Sequence, residues 1–250
     1  MTHLKRMVPF AIAGLIALSS GSQAQSGSTT PATTNEAIVF NAATPPTTGR
    51  PGRRSDAGSR GCGVDESAST AEAKPLLALV PTQKTANATV VFGKTAAERP
   101  TFWFYVPYRS PATASFVLQD QGGTTVYEAN VSLAQKPGMV GLTLPASIAP
   151  LASGKPYQWF FKVYCRPASP PDSFVDGWIQ REALTSDLIQ KLKTATLLQQ
   201  VRLYAANGFW FDALLSAAKL RQTNASDLAW AELLKAIALD GVATEDIATP

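Results

Sequence analysis

Arg99-Pro-Thr-Phe-Trp-Phe-Tyr-Val-Pro-Tyr-Arg-Ser110 (RPTFWFYVPYRS) puts Phe102, Trp103, Phe104, Tyr105 and Tyr108 within seven residues. In an extended chain successive side chains point to opposite faces. Phe102, Phe104 and Val106 therefore share one face, and Trp103, Tyr105 and Pro107 share the other. A strand apolar on both faces belongs in mid-sheet with a layer over each side. The first face is expected to meet an opposing sheet, and the second to be covered by C-terminal helices. Each aromatic ring buries roughly 150–250 Å² when enclosed. Beyond Pro107, Tyr108 and Arg109 form the end of the stretch expected to reach solvent, and they are candidate binding residues.

The pattern on either side is also β. Candidate strands are Leu76–Val80, Thr89–Phe92, Thr101–Val106, Ala114–Asp120, Thr124–Val131, Val140–Leu144, Tyr157–Cys165 and Phe174–Gln180. Turn signals separate them, among them Gln121-Gly122-Gly123, which joins two strands as a hairpin. In Tyr157–Cys165 (YQWFFKVYC), Tyr157, Trp159, Phe161, Val163 and Cys165 alternate onto one face, which is expected to be the core. Short strands with regular punctuation and no helix between them predict an antiparallel β-sandwich, immunoglobulin-like or jelly-roll-like, over residues 75–184.

After Thr185 the apolar period becomes helical. Thr185 or Ser186 caps a helix through Leu188 and Leu192 to Ala206, with Thr194 as a candidate break, and Asn207-Gly208 stops it. A second helix covers Trp210–Arg221 and a third Ser226–Leu239. The class is thus α+β, with a small three-helix unit at 185–250. The stretch LYAANGFWFDALLSAAKL resembles the hinge of a tetratricopeptide repeat, through Tyr204, Gly208 and Ala213. One such unit does not bury its own apolar face, so it is expected to pack on the sandwich or cap an array elsewhere. Tyr204, Phe209 and Trp210 are candidate contacts for helix docking.

The first 24 residues have the three-part layout of a secretory signal: Lys5 and Arg6, an apolar run from Val8 to Leu18, and Ser22-Gln23-Ala24 before the expected cut. Export to the periplasm or beyond is expected. The apolar run is short of the roughly 20 residues a spanning helix needs, so no transmembrane anchor is expected after cleavage. Removing Lys5 and Arg6 brings the 22 basic residues close to the 18 acidic ones, which argues against nucleic acid as a partner. Residues 25–74 are rich in Thr, Ser, Pro, Gly and Arg and are expected to be a flexible linker. Within them Ile38-Val39-Phe40 is a candidate edge strand, and Arg50, Arg53, Arg54 and Arg60 are expected to be a solvated basic cluster.

Chemistry is sparse. The single histidine, His3, leaves with the signal, so Ser-His or Cys-His nucleophile pairs and His-liganded metals are not expected. In an oxidising compartment the two cysteines, Cys62 and Cys165, are expected to pair. Closing a loop of about a hundred residues is worth up to about 4–5 kcal/mol in the chain-entropy account. No cofactor, metal or catalytic residue is expected. Asp172, Asp176, Glu182 and Glu98 are the carboxylates available to a hydrolase that uses acid pairs.

In order, GRPGRRSDAGSRGC, LLALVP, RPTFWFYVPY, SFVLQD, VYEANVSL, PGMVGLTLP, LASGKPYQWFFKVYC, VDGWIQRE and LYAANGFWFDAL resemble the exported cyanobacterial family catalogued as domain of unknown function 928. The resemblance runs from about Ile38 to Leu239 and departs at Asp56-Ala57-Gly58, where a fuller glycine run is expected. It implies an exported protein and carries over no catalytic residues. Two classes of function remain: a non-enzymatic interaction or adhesion module of the cell envelope with a protein partner, or a carboxylate-dependent envelope polysaccharide hydrolase or glycan-binding module.

Overall fold

A computed structural model describes residues 1–2, 37–46, 51–56, 74–85, 88–108, 112–134, 136–166 and 170–247. Among these, ten strands precede four α-helices. The strands are β1 (Ser55–Asp56), β2 (Leu76–Ala78), β3 (Thr82–Lys84), β4 (Thr89–Thr95), β5 (Thr101–Val106), β6 (Thr113–Asp120), β7 (Thr125–Val131), β8 (Gly138–Thr143), β9 (Pro156–Tyr164) and β10 (Ser173–Arg181). The helices are α1 (Ser186–Lys193), α2 (Leu197–Ala206), α3 (Trp210–Thr223) and α4 (Ala229–Ala236), followed by a 3₁₀ turn at Asp240–Val242. The class is α+β, as the sequence predicts.

The strands form two sheets, one ordered β1-β2-β5-β8 and the other β3-β4-β10-β9-β6-β7. All six residues of β5 are buried. Its first face packs across the sandwich: Phe104 stacks on Phe161 at 4.1 Å, and Phe102 meets Phe116 at 4.8 Å. Its second face is roofed by helix α4, where Trp103 meets Trp230 edge-to-face at 5.5 Å. Both faces therefore have the neighbours that their parity predicts. Along β9, Tyr157, Trp159, Phe161 and Val163 are buried and the intervening residues half-buried, which is the expected alternation.

One pairing departs from a wholly antiparallel sandwich: β10 runs parallel to β4 through Trp178–Arg181. Parallel neighbours need a long crossover, and here five intervening strands supply it. Strands β1 and β3 escape periodicity because they are two and three residues long. The helical unit has four helices, because the segment to Ala206 divides at Thr194. Thr196 opens α2 with a capping box: its hydroxyl accepts from Gln199 N–H, while the Gln199 side chain accepts from Thr196 N–H. The fourth helix ends at Ala236, short of Leu239.

The helices share one hydrophobic core with the sheets. Trp210 Nε1–H donates to Leu79 O at 2.7 Å inside that core. Gly93 lets α3 approach β4 closely, since a Cβ there would lie 2.8 Å from the Phe211 ring.

Two stretches of the segment expected to be a flexible linker lie against this body. Residues 37–46 are not a strand: Ile38 is buried, Phe40 meets Trp210 at 4.8 Å, and Asn41 N–H donates to Ala205 O at 3.1 Å. Residues 51–56 join the two sheets. Strand β1 pairs with β2, while Arg53 and Asp176 exchange backbone contacts on β10. Of the expected solvated basic cluster, Arg53 is exposed, Arg54 is half-buried, and Arg50 and Arg60 lie outside the described residues. The Arg53 guanidinium sits over Phe174 at 4.2 Å, and Arg54 donates to Ile237 O at 2.7 Å. This segment closes one side of the sandwich.

Candidate functional site

The opposite side of the sandwich stays open. There the last strand of each sheet, β7 and β8, flanks a groove of about 410 Å³. The alternation of β7 turns Tyr127, Ala129 and Val131 toward it, all half-buried, and leaves Val126 and Glu128 exposed on the other face; the exposed Asn130 and Ser132 also line the groove. Val140 and Leu142 of β8 and Leu133 from the connection complete the apolar lining. Gly141, between Val140 and Leu142, faces the other side of β8, where the Trp103 indole leaves no room for a Cβ: three of its ring carbons lie 2.9–3.1 Å from that position.

The four sheet edges differ in how they are finished. Strand β1 is short and tied to both sheets. Strand β3 is three residues long, and its Gln83 amide donates to Ala43 O. Strand β8 is covered at its start, where Met139 bridges Ile247 and its N–H donates to Asp246 O at 2.7 Å. Strand β7 has seven residues, no proline and no lysine, and among the described residues only β6 pairs with it. Exposed edges ordinarily carry such blocking residues.

The residues predicted from sequence fall elsewhere. Tyr108 is 2 % exposed, enclosed beside Val106, Leu133 and Val140, so the solvent-facing contact expected there is corrected. The chain turns inward after Pro107 and seats the ring behind the groove wall. Arg109 and Cys62 lie outside the described residues, as does the signal segment beyond Thr2. Phe209 and Trp210 are buried and Tyr204 is half-buried against Phe209. They anchor the α2–α3 turn to the sheets and offer little surface to a partner helix. Cys165 follows β9, half-buried, with its N–H donating to Asp172 at 2.9 Å.

The four carboxylates each have their own partners. Asp172 is held below its ordinary value first by the Cys165 N–H, with Arg166 adding to it. Asp176 accepts from Arg53 N–H and Gln158 Nε2, and burial pushes it up. Glu182 pairs with Lys94 at 2.9 Å, and Glu98 with Arg181 at 3.2 Å. A fifth, Asp212, has nothing in its local sequence pattern that sets it apart. It sits in the first turn of α3 and accepts from Ala96 N–H at 2.9 Å. Burial pushes its carboxyl up to about 6, against the pull of donors on Thr95, Ala96 and Ala97.

The groove itself was beyond sequence reasoning. Its strands were predicted, but which strands end a sheet depends on the order of pairing. The one available signal is the Thr125–Val131 stretch, half apolar by alternation and without the proline or lysine that often blocks an edge.

A two-sheet sandwich with helices packed against strands of both sheets and an open, largely apolar groove defines a β-rich α+β domain with a ligand-sized recess. The chain belongs to the family described as Domain of Unknown Function (DUF928), whose model matches residues 55–247. No curated protein matches it.

Proposed function

We propose that this protein is an exported, non-enzymatic interaction or adhesion module of the cell envelope, and that a partner protein binds in the groove between β7 and β8. The observation that carries the reading is the groove: an apolar recess of about 410 Å³ whose walls are both edge strands. A closed sandwich buries such side chains. Here Tyr127, Val131, Leu133, Val140 and Leu142 are left half-covered. Export rests on the amino-terminal signal pattern, and it places Cys62 and Cys165 where a disulfide between them persists. That bond ties the segment after β1 to the end of β9.

The alternative, a carboxylate-dependent hydrolase or glycan-binding module, has less support. Asp176 is 8 % exposed, and Glu98 and Glu182 are each paired with a basic side chain. Turnover of envelope polysaccharide that disappears in Asp176→Asn or Glu98→Gln would overturn the non-enzymatic reading; no turnover is expected.

The location of the site is tested by photocrosslinking in cells that export the protein. A crosslinking side chain at Val131 is expected to trap a discrete adduct, and one at Leu228, which is 66 % exposed on the helical unit, is not. The reverse pattern would move the site to the helices.

A further inference from the structure

We infer that the groove's occupant is an extended segment of a partner protein that adds to β7 as a further strand, with alternate apolar side chains in the groove and a lysine or arginine opposite Glu128. The inference rests on the proposed function above and specifies its partner.

The backbone carries the first part. An edge strand presents unpaired N–H and C=O groups along its free side, and a partner strand satisfies them. Among the described residues, β7 is the longest edge strand with no pairing on its free side, since the edges at β1 and β3 are short or occupied and β8 is occupied at its start. A seven-residue strand offers several such groups. The groove beside it takes the side chains that an added strand turns inward, every second one. Its lining of Tyr127, Val131, Leu133, Val140 and Leu142 specifies apolar ones.

Charge selects the rest. From Thr125 to Ala134 the single charged residue is Glu128. It is exposed on the face away from the groove and has no ion-pair partner among the described residues. Opposite charges facing each other across neighbouring strands are favourable and like charges unfavourable. A strand with a basic residue at that position is therefore preferred. A second copy pairing β7 with β7 about Glu128 sets carboxylate against carboxylate.

The test uses the full exported chain and a phage library of random dodecapeptides. Enriched peptides are expected to alternate apolar with polar residues and to carry Lys or Arg at a polar position. Exchanging that residue for Glu is expected to weaken binding about two- to fivefold. Glu128→Lys, an exposed change that leaves the fold intact, is expected to reverse the preference. N-methylation of alternate peptide amides is expected to cost about tenfold in one parity and nothing in the other. Absence of any enriched peptide, loss of the charge preference, or indifference to N-methylation would overturn strand addition. Peptides that ignore N-methylation yet lose binding in Leu142→Asp would leave the groove as the site and remove the strand mode. Peptides that bind Leu142→Asp and Val131→Asp unchanged would overturn the groove itself. A free protein that light scattering shows to dimerise, with dimers lost on peptide addition, would make the occupant a second copy and overturn the partner assignment.

Discussion

Asp212→Asn tests the junction between the helical unit and the sheets. The Asp212 carboxyl is buried where α3 meets the end of β4, with donors on Thr95, Ala96 and Ala97, and Lys94 nearby is already paired with Glu182. Its value rises from an ordinary 3.8 to about 6. Between those two values the folded protein keeps a proton that the unfolded chain has released. Stability is therefore greatest below 3.8, falls as pH rises toward 6, and is flat above. The full span corresponds to about 3 kcal/mol. Asparagine keeps one acceptor oxygen and carries no charge, but leaves other donors less well satisfied at about 1 kcal/mol. The variant is expected to be about 1–2 kcal/mol more stable than the parent at pH 7.5 and nearly equal at pH 4. Urea denaturation followed by tryptophan fluorescence at several pH values between these limits reads the difference. Asp176 is also raised by burial and adds a slope of the same sign to both proteins, so it cancels in the comparison. Equal pH slopes, or a variant that is weaker at pH 7.5 than at pH 4, would show that the donors outweigh burial and refute the reasoning.

Gly177→Ala is expected to lower stability by about 1–3 kcal/mol in the same assay, because the new Cβ would lie 2.5 Å from the Trp159 ring and 2.8 Å from Val91. Arg54→Ala removes the bond to Ile237 O and is expected to raise hydrogen exchange across residues 51–56 while costing about 1 kcal/mol; unchanged exchange would show that β1 holds this segment alone. The exported protein is expected to show no thiol reactive with a thiol reagent under denaturing conditions, and Cys62→Ser to lose about 2–4 kcal/mol. Two reactive thiols in the unmodified protein would contradict the pairing.

Side-chain parity and capping chemistry were legible in the sequence because each acts within a few residues. The two faces of Phe102–Val106, the alternation of Tyr157–Val163 and the helix that Thr185 caps all follow from such local rules. Tertiary order was not legible. Strand β3 forms from Thr82-Gln83-Lys84, which has no apolar signature, and holds because β4 offers it a partner along Thr89–Val91. Ile38 and Phe40 looked like an edge strand, yet they pack on the helices, which offered the larger apolar surface. Tyr108 looked exposed beyond a proline and is buried by residues some 25 positions away in the chain, on the β7–β8 connection. The groove is the extreme case. Each strand beside it is ordinary, and its openness comes from the six-stranded sheet ending at β7 just where the four-stranded sheet ends at β8.

Partner binding at β7 is read most directly by hydrogen–deuterium exchange across Thr125–Val131, measured with and without a peptide selected on the full chain. The amides on the outer side of β7 are expected to exchange quickly in the free protein and to slow on binding, every second one along the strand. Protection that appears on α2 and α3, or on no part of β7, would contradict the claim that the open side of the sandwich is where this protein meets its partner.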